Sequence, residues 1–182
     1  MNTQGTSQQQ ESGMLTGLFS DKESSENAYQ SLRNRGYSED EINVIMSDQT
    51  RDKYYGSGND DDSELGSKAL EGTGVGGMIG GTLGAIIGGI AAIGTNLFIP
   101  GLGLVIAGPI AAALAGAGAG GVTGGLAGAL IGSGIPEDRA RLYENGIKEG
   151  GTVLGVKPRT SDDADFFENE WKTNYRGQHV YR

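Results

Sequence analysis

The chain has no cysteine, a single histidine and a single tryptophan among 182 residues. Disulfides, thiolate nucleophiles and zinc sites with cysteine ligands are therefore excluded. Basic residues are scarce as well: 14 Lys and Arg against 23 Asp and Glu give a net charge of −9. Nucleic-acid binding needs clustered cations that displace counterions from phosphates, and no basic stripe is present. The most local absence is charge itself, since no Asp, Glu, Lys, Arg or His occurs from Gly72 to Gly134. The start, "MNTQGTSQQQES", lacks the basic residues and apolar core of a secretory signal, which places the flanking regions in the cytoplasm by expectation.

What fills the uncharged stretch is glycine: 22 of the 34 glycines lie there. Gly72, Gly76, Gly80, Gly84 and Gly88 recur every four residues. Gly116, Gly120, Gly124, Gly128 and Gly132 repeat the pattern, extended backwards by Ala112 and Gly108. In a helix, residues four apart share a face, so each run makes a ridge without side chains on which two backbones can close up. Interior glycine costs about 1 kcal/mol against alanine in water, so such helices need surroundings that hold them. Lipid would do so, because unsatisfied backbone groups are costly there. Residues 73–93 and 109–133 each reach the roughly 20 residues that cross a bilayer. "GTNLFIPGLGLVIAG" between them reads as a turn, with Pro100 and Gly101 at its bend and Pro109 starting the second helix. The alternative is a soluble assembly in which sister chains cover the same ridges.

The flanks read as α/β structure. Residues 1–13 are a polar tail. In 14–48, "MLTGLF" is a strand and the next segment a helix, with Ser20 and Glu23 at capping-box spacing, Ala28, Tyr29 and Leu32 inward, and Gly36 as a left-handed stop. "EINVIMSD" alternates Ile42, Val44 and Met46 against Asn43 and Ile45, a strand with one well-buried face. Residues 49–71 are an acidic linker with a helical turn near its end. Residues 72–135 are the glycine hairpin. In 136–158, Pro136 opens a helix with Ala140, Tyr143 and Ile147 on its apolar side, and "TVLGV" follows as a strand. The predicted class is α+β: most of a ferredoxin-like βαββαβ layout, with the hairpin inserted and a fourth strand not evident. Residues 159–182 are an acidic and aromatic tail in which Phe167, Trp171 and Tyr175 repeat at helical spacing. Their stripe docks either on the protein's own core or on another subunit or membrane interface, the first being favoured.

Chemical motifs are weak. "GTGVGG" and "GAGAGG" match a dinucleotide-binding spacing, yet neither follows a strand and no acidic residue lies about twenty positions on. "NDDDSE" at 59–64 lacks the glycine and distal glutamate of a calcium loop. His179 has no identifiable partner. No nucleophile, base and orienting group can be argued together, so neither an enzyme nor any cofactor or metal is expected.

"MLTGLFSDKESSENAYQSLRNRGYSEDEINVIMSD" contains A-x-x-x-L-x-x-x-G-Y, and "GIPEDRARLYENGIKEGGTVLGV" contains P-E-x-x-A-x-x-Y-E-x-x-I-x-x-G. With the glycine insertion between them, residues 14–157 resemble the bacterial general stress (heat-induced stress) protein family. The resemblance implies a ferredoxin-like domain interrupted by a zipper hairpin, and expression under stress. It carries no catalytic residues. The resulting expectation is a non-enzymatic stress protein that self-associates in the inner membrane, with lipid and its own copies as partners and both termini cytoplasmic. The alternative is a soluble cytoplasmic filament or shell built on the same hairpins.

Overall fold

The computed structural model describes residues 13–55, 97–99, 103–117 and 125–182. Its elements in chain order are β1 (Leu15–Phe19), α1 (Lys22–Asn34), a 3-10 turn (Glu39–Glu41), β2 (Ile42–Ser47) and α2 (Asp48–Tyr55). Next come β3 (Leu97–Ile99), β4 (Leu104–Ala107), α3 (Pro109–Ala117) and α4 (Gly125–Gly132). α5 (Glu137–Lys148), β5 (Thr152–Val156), α6 (Ser161–Thr173) and β6 (Gln178–Tyr181) complete the chain.

The six strands form one sheet in the order β3-β4-β2-β5-β1-β6, with every neighbouring pair antiparallel. β1 and β2 both pair with β5, so they run parallel to each other around it. The class is α+β. The sheet has two strands more than a four-stranded βαββαβ unit, and helices cover both faces. Leu15, Phe19, Val44 and Leu154 meet α1, α2 and α6 on one side. Leu18, Ile45, Ile106 and Val153 meet α3, α4 and α5 on the other. This double cover corrects the one-faced reading of β2: Asn43 and Ile45 are as buried as Val44, because α3 and α5 pack where water was expected.

Several local expectations change for identifiable reasons. The α1 cap is Asp21, whose Oδ1 accepts the Ser24 N–H at 2.8 Å, one residue past Ser20. Gly36 has φ +86, the left-handed stop foreseen for α1. Pro136 is the N-cap of α5, whose first residue is Glu137. Residues 48–55, at the start of the predicted linker, are helical. "GTNLFIPGLGLVIAG", read as a turn, contains β3 and β4, which extend the sheet beyond β2. Residues 159–182, read as a tail, form α6 and β6, the latter pairing with β1 at the far edge.

Candidate functional site

Of the glycine register, Gly72, Gly76, Gly80, Gly84, Gly88, Gly120 and Gly124 lie outside the described residues, as do Pro100 and Gly101 of the predicted bend. Pro109 begins α3, and Gly116 lies within it. Gly108 departs from the helical ridge. Its φ is +94, and a Cβ there would lie 2.2 Å from the Ile42 carbonyl oxygen. It is the point where the turn into α3 presses on β2, and its lack of a side chain serves that contact. Gly125 also has positive φ, +70, which no continuous α-helix accommodates. The expected span 109–133 is therefore not one helix. As far as they are described, α3 covers nine residues and α4 eight, about 14 and 12 Å of rise. Among the described residues, no helix is long and apolar enough to cross a membrane.

Gly128 and Gly132 do share a face of α4. No described atom lies within 4 Å of the Cβ that either would carry. Ile131, on the same face by helical spacing, is 42% exposed, and Leu142 of the adjoining α5 is 36% exposed. The opposite side of α4 buries Leu126, Ala127 and Leu130 in the core cluster beside α5. One face of α4 is thus committed to the core, and the other offers glycine backbone beside an uncovered isoleucine.

Phe167 and Trp171 are fully buried, and Tyr175 packs at their edge. Trp171 meets Phe19 edge-on at 5.4 Å between ring centroids, and Phe167 meets Tyr37 at 5.5 Å. Gly17 makes the seat, since a Cβ on it would stand 3.0 Å from the indole. The aromatic stripe therefore lies on the protein's own sheet, and Trp171 is unavailable as an interface anchor.

A charged network fastens the start of α6 to the end of α1. Thr160 caps α6 by accepting the Asp163 N–H. The Asp163 carboxylate accepts from Arg35 Nε at 2.6 Å and from the Tyr37 hydroxyl at 2.8 Å. Tyr37 accepts the Arg159 N–H at 2.9 Å, while the Arg159 guanidinium lies over the Tyr37 ring and donates to Glu41 at 2.7 Å. Hydrogen bonds from Arg159 and then Ser38 hold the Glu41 carboxyl at about 2. Burial pushes Asp163 upward, but its bonds to Arg35 and Tyr37 outweigh that and leave it lowered. Carboxylates depressed by folding contribute stability that is present above their unfolded pKa and lost as pH falls through the folded one. Stability should thus be level at neutral pH and decline as pH drops from about 4.5 toward 2. Arg159→Ala is expected to flatten that acid limb, read from urea midpoints at pH 7, 5 and 3; because the groups are partly exposed, the effect should be modest and salt-sensitive.

Beside this network a cleft of about 360 Å³ runs between α1 and α6. Asn27, Gln30 and Asn34 line it from α1 and Phe166 and Glu170 from α6, with Arg35 and Tyr175 also in its lining. His179, assigned to the tail, stands on edge strand β6 with φ +49, exposed, while its carbonyl accepts the buried Tyr143 hydroxyl at 2.8 Å. Among the described residues, no group of three His, Cys, Asp or Glu could hold a metal ion.

Sequence reasoning missed Asn43. Its Oδ1 accepts the Ile110 N–H at 2.7 Å and its amide donates to the Gly155 carbonyl at 3.2 Å, so a β2 side chain satisfies the start of α3. The available signal was an asparagine inside an otherwise apolar strand. Comparison with protein-family models, with curated proteins and with solved structures finds no match for this chain.

Proposed function

We propose that the protein is a non-enzymatic, self-associating stress protein whose uncharged glycine-rich faces join copies of the chain. The observation that carries this reading is the outer face of α4, where Gly128 and Gly132 leave bare backbone beside exposed Ile131. Exposed isoleucine next to a side-chain-free ridge suits close helix-to-helix contact with a second copy. Between the two settings, a water-borne assembly is supported over an inner-membrane hairpin because α3 is packed on β2 and β4 and α4 buries its apolar side in the same core beside α5. The interleaved pairs, β1 and β2 around β5 and β4 and β5 around β2, support a reading of the core as a variant of the ferredoxin-like βαββαβ plan with β3 and β6 added. The resemblance to the general stress family supports expression under stress.

The test is light scattering on the full chain. Among the described residues nothing lies within 4 Å of a Cβ at Gly128 or Gly132, and Gly128→Glu with Gly132→Glu improves helix propensity, so the fold should persist while the assembled mass falls to that of a monomer. An unchanged mass would sink the proposed contact. Carbonate washing of native membranes separates the two settings: release into the supernatant supports the water-borne assembly, and retention with lipid restores the membrane hairpin.

A further inference from the structure

The cleft between α1 and α6 holds polar groups that the fold leaves unused. The Asn27 amide makes no hydrogen bond among the described residues. Gln30 donates one N–H to Asn34 Oδ1 at 3.1 Å, which leaves its own carbonyl oxygen and the Asn34 amide hydrogens to the cleft. Glu170, by contrast, is engaged: its carboxylate accepts from Asn174 at 2.8 Å and from the Tyr175 hydroxyl. Aromatic surface stands beside them in Phe166, which is 38% exposed, and in half-buried Tyr175. Donors and acceptors are therefore both on offer, in similar number, along one helix row and beside ring faces.

That balance selects the ligand. An anion would meet the Glu170 carboxylate and the negative end of α1, and the one cation there, Arg35, is already bound to Asp163 and stacked 4.1 Å over Phe166. A cation would use the Glu170 carboxylate and the amide oxygens but none of the amide hydrogens. A purely apolar molecule would strand the amides of Asn27, Gln30 and Asn34 without water, at a cost of about 1–3 kcal/mol each. A neutral ring bearing hydroxyls both donates and accepts, and its C–H face can lie on an aromatic edge. From Asn27 to Asn34 the row rises about 10 Å, the length of two linked sugar rings. A volume of about 360 Å³ falls at the small end of ligand sites.

We propose that the α1–α6 cleft binds a neutral polyhydroxylated ligand of disaccharide size, with Asn27, Gln30 and Asn34 pairing to its hydroxyls and Tyr175 and Phe166 bordering its ring faces. This site is separate from the α4 face and survives or fails independently of self-association. The experiment is a calorimetric titration of the full chain with maltose and with trehalose, repeated in the presence of inorganic phosphate. Saturable binding of at least one disaccharide is expected at or below about 1 mM, with no competition from phosphate. Asn27→Ala with Gln30→Ala, and separately Tyr175→Ala, should each weaken it tenfold or more. The near-isosteric Asn34→Asp, which adds a second carboxylate without removing volume, should weaken it as well, and far-UV circular dichroism checks that each variant is folded. Absence of saturable binding by either sugar, folded variants that bind as tightly as the parent chain, or displacement by phosphate would overturn the assignment.

Discussion

Gly108→Ala is expected to destabilise the protein by about 3–5 kcal/mol, among the largest effects of any single methyl group. The backbone at Gly108 has φ +94, a region that costs a side-chain-bearing residue about 1–3 kcal/mol on its own. The added carbon would also stand 2.2 Å from the Ile42 carbonyl oxygen and 2.9 Å from the Asn43 Cα. Both obstacles are main-chain atoms in the middle of the sheet and cannot swing aside. Relief would require the turn to lift off β2, which would pull the Ile110 N–H from Asn43 Oδ1 and leave a buried asparagine half-satisfied. Gly128→Ala supplies the contrast, since nothing described stands within 4 Å of its new methyl and the helix gains about 1 kcal/mol of propensity. The same substitution, twenty residues apart in one glycine register, should carry opposite signs. Urea midpoints at constant m-value measure both, and a loss below about 1 kcal/mol at Gly108 would refute the close approach.

Trp171→Ala should cost about 3–5 kcal/mol, the range for emptying a fully buried large aromatic site. The indole touches Phe19 of β1 and lies beside Phe167 of its own helix. Gly17 cannot fill the space it leaves. Gly177 closes the turn after α6, with its N–H on the Trp171 carbonyl at 2.6 Å, so loosening the helix also loosens β6. Thermal denaturation followed by far-UV circular dichroism would register the loss. A drop in stability under about 1 kcal/mol would mean that α6 is not seated on the sheet.

Sequence reading reached furthest where a signal is local. Gly36 after the Ala28, Tyr29 and Leu32 stripe marked the end of α1 because a left-handed stop needs glycine. The Ala140, Tyr143 and Ile147 spacing marked α5 because a helix repeats every 3.6 residues. β3 and β4 escaped notice since "LFI" and "LVIA" are short apolar runs inside a glycine-rich stretch, where helix and strand patterns coincide. The role of Asn43 could not be read either, as its partners Ile110 and Gly155 are 67 and 112 residues away. Nor could the cleft, whose two walls come from opposite ends of the chain.

Residue order alone settled the α+β class and the uncharged glycine block, because propensity, capping and charge act over a few neighbouring residues. Tertiary structure alone decided what Gly17, Gly108 and Gly128 each face. Gly108 admits a strand, Gly17 admits an indole, and no described atom stands within 4 Å of a Cβ on Gly128. Identical residues at similar spacing diverge in this way because a missing side chain acquires meaning only from the atoms that the rest of the chain brings against it.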